Sequence, residues 1–235
     1  MKTSSPVHHS REAGLTLIEL LVIVAVVFVL IGFLPICTIG DQRTGRLTDS
    51  LNNAKQISTA LIMYAEDHGG IFPATRADGT AFAPGDPSNR ALEQLMPTYS
   101  SSKAIFRNRN SVWCRNPETD TVPADASLLK RGQNDWNYVA GLTIKSDPRW
   151  PLFATATASA TDLTYSNVTR NKGGVWGGTA AIVGYADGSV RPLTDDKMNL
   201  QDKTRTFPKR EDTGANIFVG TSDWLGAGRI VLAPE

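Results

Sequence analysis

The stretch Gly14-Leu15-Thr16-Leu17-Ile18-Glu19-Leu20-Leu21-Val22-Ile23 opens an apolar run that lasts to Ile39. Val, Ile and Leu dominate it, and Glu19 is the only charged side chain between Leu15 and Gly40. As a helix, residues 15–39 would reach about 37 Å at about 1.5 Å per residue. That exceeds the roughly 30 Å hydrocarbon core of a bilayer. The run therefore predicts a membrane-spanning helix with one carboxylate in its first turns. A carboxylate in lipid is costly and asks for a partner, unless it snorkels to the interface.

Residues 1–14 form a short polar leader with Lys2 and Arg11 against Glu12. A cleaved secretory signal would have a shorter apolar core and small residues at its end, for which Thr38-Ile39-Gly40 is the only candidate. Leu34-Pro35-Ile36-Cys37 is a poor lipoprotein box, because Ile36 is not small. In contrast, Gly14 followed by Leu15, with Glu19 fifth after the glycine, resembles the processing motif of type IV prepilins. The resemblance implies cleavage between Gly14 and Leu15 by a prepilin peptidase and N-methylation of Leu15. Leu15 departs from the usual phenylalanine or methionine. The resemblance also gives Glu19 a role in subunit assembly, as the docking charge for a neighbour's free N-terminal amine. A charge-assisted contact of that kind offsets the desolvation of the carboxylate.

Pro35 removes a helical hydrogen bond and predicts a kink late in the run, as pilin helices often have. Lys2 and Arg11 precede the helix, so the expected orientation is N-terminus cytoplasmic and head periplasmic. The expected localisation is the bacterial inner membrane, single-pass, followed by a periplasmic or surface fibre.

Residues 41–235 suit one globular domain. A net charge of +1 and the lack of a Lys/Arg cluster imply no nucleic-acid partner. The two cysteines, Cys37 and Cys114, and three histidines make no metal-ligand pattern.

Gly40 to Gly45 reads as a joint or a bend. Leu47, Leu51, Ala54, Ile57, Leu61, Tyr64 and Ala65 then recur every three or four residues, which predicts an amphipathic helix ending near Asp67. Gly69-Gly70 supplies the stop. The stretch Met63-Tyr64-Ala65-Glu66-Asp67-His68-Gly69-Gly70-Ile71-Phe72-Pro73 resembles the segment after the long helix in type II secretion pseudopilins and their large relatives. His68, alone in that turn, reads as a cap or surface residue.

A short helix is expected from Asn89 to Met96. Strands are expected at Asp135–Thr143, Pro151–Ala154 and Gly228–Ala233. Ala156–Thr161 reads as a surface loop. The glycines of Asn171–Gly178 fit no phosphate-binding motif and read as a flexible loop. Asp187-Gly188, between Ala181–Ala186 and Ser189–Leu193, is a strong hairpin signal. Pro192 places the second strand at an edge. Tyr185-Ala186-Asp187-Gly188-Ser189-Val190 resembles the closing motif of the same large pseudopilin-like proteins. Some major pseudopilins hold calcium there. Asp187, Asp195 and Asp196 are the metal candidates, short of the six to eight oxygens calcium needs; no other cofactor is expected.

The expected fold is α+β and pilin-like: a long N-terminal helix, membrane-spanning in its first half, packed on an antiparallel sheet. The organisation is a leader (1–14), an assembly helix (15–39), its amphipathic continuation (40–68) and a head (69–235). The resemblance implies a structural, non-enzymatic subunit of a type II secretion pseudopilus or related fibre. Its partners would be other pilin-like subunits, the prepilin peptidase, an inner-membrane assembly platform and the lipid bilayer. The alternative is a signal-anchored binding module or enzyme, for which no catalytic constellation is present.

Overall fold

Leu17 begins the first helix because Thr16 caps it, and Leu17–Phe33 form α1. A computed structural model describes residues 16–33, 38–109, 111–114, 129–161, 163–194, 218 and 229–235. Two compact units divide the chain, Met1–Gly45 and Arg46–Glu235.

In the first unit α1 is apolar on every side and exposed on every side, from Leu17 (82 %) to Phe28 (72 %). Its 17 residues give about 25 Å of helix, short of a roughly 30 Å hydrocarbon core. Among the described residues no helix is long and apolar enough to cross a membrane. This corrects three expectations: the membrane-spanning first half of the fold, the single-pass topology and the inner-membrane localisation. Pro35, expected to kink the helix, lies outside the described residues, as do Gly14 and Leu15.

The second helix, α2, is Thr38–Asp67. Residues 40–45, expected as a joint or a bend, are helical. Ser50, Ala54, Ile57, Ser58, Leu61 and Ala65 are buried along one stripe, the three-and-four spacing of an amphipathic helix. Its end follows from two glycines. The Gly70 amide donates to the Ala65 carbonyl at 2.7 Å and Gly69 has φ 65°. A left-handed residue after the last turn lets the chain satisfy those carbonyls, and glycine adopts it without strain.

The remaining elements of this second unit build a five-stranded sheet. After α3 (Asn89–Leu92), extended by a 3₁₀ turn at Glu93–Leu95, and a second 3₁₀ turn at Lys103–Phe106, the strands begin. They are β1 (Trp136–Ala140), β2 (Pro151–Thr155), β3 (Ala180–Tyr185), β4 (Val190–Thr194) and β5 (Ile230–Leu232). Their order is β4-β3-β2-β1-β5, and every neighbouring pair is antiparallel. An α+β fold with an antiparallel sheet is therefore present, without the spanning helix.

β1 and β2 are buried along their whole length. Trp136, Tyr138, Phe153 and Leu152 join Ile57, Leu61, Phe72 and Phe106 in one core. The Trp136 and Phe153 rings meet edge to face, 5.6 Å apart, an arrangement that adds attraction beyond buried area. Gly184 lies opposite Phe153 in the ladder, and a Cβ there would overlap that ring. The glycine makes room for the aromatic side chain.

The start of the Ala156–Thr161 loop differs from expectation. Ala156 and Thr157 are fully buried rather than on the surface, because Thr157 is a hub: its hydroxyl accepts from Asn137 Nδ2 at 2.7 Å and its carbonyl from Trp113 Nε1 at 3.0 Å. The glycine-rich segment 171–178 is a loop, as expected, closely packed at Gly173 and Gly174. A Cβ on Gly173 would approach the Ala158 nitrogen to 2.7 Å.

Candidate functional site

Thr16 and Glu19 cap each other at the start of α1. The Thr16 amide and hydroxyl donate to Glu19 Oε2 at 2.8 and 2.9 Å, and the Glu19 amide donates to Thr16 Oγ1 at 3.3 Å. This is the reciprocal pattern of a capping box, Thr-x-x-Glu, which satisfies helix donors that have no intrahelical acceptor. The bond from the Thr16 amide, then that from its hydroxyl, hold the exposed Glu19 carboxyl below its ordinary pKa. Its charge also lies at the positive end of the helix dipole. The arrangement fixes one negative charge at the tip of a rod that is otherwise all aliphatic and aromatic surface. The signal for this cap is the Thr-x-x-Glu spacing of Thr16-Leu17-Ile18-Glu19. Gly14 and Leu15, the expected cleavage and methylation positions, lie outside the described residues.

In the second unit the β3–β4 hairpin closes with a three-residue loop. The Gly188 amide donates to the Tyr185 carbonyl at 3.0 Å, and the Tyr185 amide donates to the Ser189 carbonyl at 2.9 Å. Ala186, Asp187 and Gly188 therefore form the loop, with Gly188 at φ 82°. A two-residue turn would have placed both Asp187 and Gly188 at positive φ; the wider loop uses the glycine in the left-handed position that comes after a turn. The Asp187 carboxylate accepts from the Ser189 amide at 2.8 Å. Of the calcium candidates, Asp195 and Asp196 lie outside the described residues. Among the described residues no three His, Cys, Asp or Glu side chains are gathered as metal ligands.

The resemblance after the long helix falls on an aromatic cluster. Tyr64 and His68 stack with centroids 3.8 Å apart, and Tyr99 meets Tyr64 edge-on at 5.7 Å. His68 Nδ1 is 2.7 Å from the Tyr64 carbonyl, so the histidine caps the end of α2. Tyr99 donates to Asp67 at 2.8 Å and Tyr64 to Gln94 at 2.9 Å. These contacts fasten the helix end to the segment after α3.

A buried polar centre had no warning in the sequence. Asp135 is 1 % exposed; Asn108 Nδ2 donates to it at 2.7 Å and the Ser111 hydroxyl donates to its other oxygen. Burial raises its pKa to about 7 despite those two donors. Burial, then the nearby Asp135 charge, push the Cys114 thiol up as well, which makes this free cysteine a poor nucleophile. Asn108 and Cys114 also line a polar cavity of about 430 Å³ beside Asn52 and Asn53 of α2.

No known protein family matches the chain, and no curated protein and no solved structure is similar to it.

Proposed function

We propose that this chain is a structural, pilin-like subunit, processed between Gly14 and Leu15 by a prepilin peptidase and assembled through its N-terminal helix into a pseudopilus or related fibre. One observation carries the reading: α1 is apolar all round, exposed all round, and bears a single carboxylate in its first turn. A helix of that kind is stable only when covered, and an apolar surface of that extent marks an interaction site. Helices of further copies provide the cover, packed side by side in the fibre core. Glu19 then sets register, because its carboxylate must meet a cation when the helix tips are buried together. The role is mechanical and uses no catalysis.

The experiment is co-expression with a prepilin peptidase, followed by N-terminal sequencing and electron microscopy of sheared fibres. The expected protein begins at Leu15 and appears in the fibres. A chain that keeps Met1, or that begins beyond Gly40, overturns the proposal.

A further inference from the structure

A second cavity of about 510 Å³ lies on the same unit, bounded by Trp113, Arg131, Arg170, Asn171, Lys172 and Glu235. Its volume falls in the range of small-molecule sites, roughly 300–1,000 Å³. Three cations, Arg131, Arg170 and Lys172, share the cavity wall with Glu235, a main-chain oxygen of which accepts from the Gly132 amide at 3.0 Å. Among the described residues neither arginine, nor Lys172, makes an ion pair. Like charges gathered around one space repel unless an anion joins them.

An aromatic ring holds Lys172, and two backbone turns carry the arginines. Lys172 Nζ stands 3.7 Å over the Trp113 ring, a cation–π contact, and the indole is 6 % exposed and tied by its Nε1 to the Thr157 carbonyl. Arg170, Asn171 and Lys172 sit on a turn closed by the Asn171 amide on the Val168 carbonyl and the Gly174 amide on the Asn171 carbonyl, both 3.0 Å. A Cβ on Gly174 would strike the Val168 carbonyl, so that turn has one compact form. Arg131 belongs to a second turn, closed by the Gln133 amide on the Lys130 carbonyl at 3.1 Å.

We propose that this cavity binds a small hydroxylated molecule carrying an oxyanion, phosphate or carboxylate. The guanidinium forks of Arg131 and Arg170 match either oxyanion, Lys172 adds a point charge, and Asn171 and Glu235 take the hydroxyls. The site is independent of α1 and of fibre assembly.

The test is calorimetric titration of the full chain, in non-ionic detergent at low salt, with inorganic phosphate, glucose 6-phosphate, glucuronate and glucose. At least one sugar anion binds with a Kd of about 1 mM or tighter, and glucose does not bind. Preference for glucose 6-phosphate assigns the phosphate source, and preference for glucuronate the carboxylate source. Arg131→Gln and Arg170→Gln each weaken binding about tenfold, and raising salt weakens it in the unaltered protein. No binding by either sugar anion at about 10 mM overturns the proposal. So does glucose binding as well as the anions, inorganic phosphate binding as tightly as the sugar anions, or affinity indifferent to salt and to both substitutions.

Discussion

Asn108 Nδ2 lies 2.7 Å from Asp135 Oδ2, deep in the protein, and that bond ties the segment after the Lys103–Phe106 turn to the start of the sheet. Among the described residues no ion pair to this buried carboxyl is present, and its folded pKa is raised to about 7.

The pH dependence of stability derives from that shift. Unfolded, Asp135 ionises near its ordinary value of 3.8. Folded, it keeps its proton up to about 7. Between these values the native state binds more protons than the unfolded one, so stability falls as pH rises. The contribution is complete below pH 3.8 and lost above about 7, a loss on the order of 4 kcal/mol. Urea unfolding at pH 4.5, 6 and 8 should show this decline, and Asp135→Asn should flatten it. An equally steep decline in the variant would reject Asp135 as its source.

Substitutions at the tip of α1 separate capping from docking. Thr16→Ala removes the reciprocal cap and should cost about 1 kcal/mol of helix stability, while leaving the Glu19 carboxylate for a neighbour. Glu19→Ala removes both functions. We expect processing to persist in each, fibre incorporation to collapse in Glu19→Ala, and Thr16→Ala to retain most of it. Equal loss in both would mean that the cap alone matters.

Gly184→Ala puts a methyl group into the Phe153 ring. Overpacking of this kind costs about 1–3 kcal/mol, read as a lower urea midpoint with an unchanged slope. Combining it with Phe153→Leu should restore part of the loss, since residues in contact couple. Strictly additive effects would show that the ring is not what the methyl meets.

The hairpin loop is pinned to α2 by the Ser58 hydroxyl, which donates to the Gly188 carbonyl at 2.8 Å. Ser58→Ala should cost about 1 kcal/mol. Gly188→Ala should cost about 1–2 kcal/mol because φ 82° is unfavourable for a residue with a Cβ. Hydrogen exchange at Tyr185, the amide that closes the loop, should quicken in both; unchanged protection would count against the pin.

The parts of this fold that sequence reasoning reached were those with local grammar. The stripe from Ala54 to Ala65 repeats at helical spacing, Gly69-Gly70 stops it, and Asp187-Gly188 sits between two apolar strands with Pro192 at the sheet edge, where β4 lies. What escaped was assembled from distant positions. Asn108, Ser111 and Asp135 are ordinary polar residues until the chain brings them together. Arg131, Arg170 and Lys172 form no cluster in the sequence. Thr16-x-x-Glu19 was in plain view. A charge in an apolar run suggests solvent polarity before it suggests hydrogen-bond geometry.

The two ends of the sheet carry a last consequence. β4 presents Pro192, which has no amide hydrogen to offer an incoming strand, and β5 is only three residues long, with the Ser88 amide donating to the Ala233 carbonyl beside it. Neither margin invites another chain to extend the ladder. Even at high local concentration, a sheet with both margins closed in this way resists zipping into a cross-β aggregate.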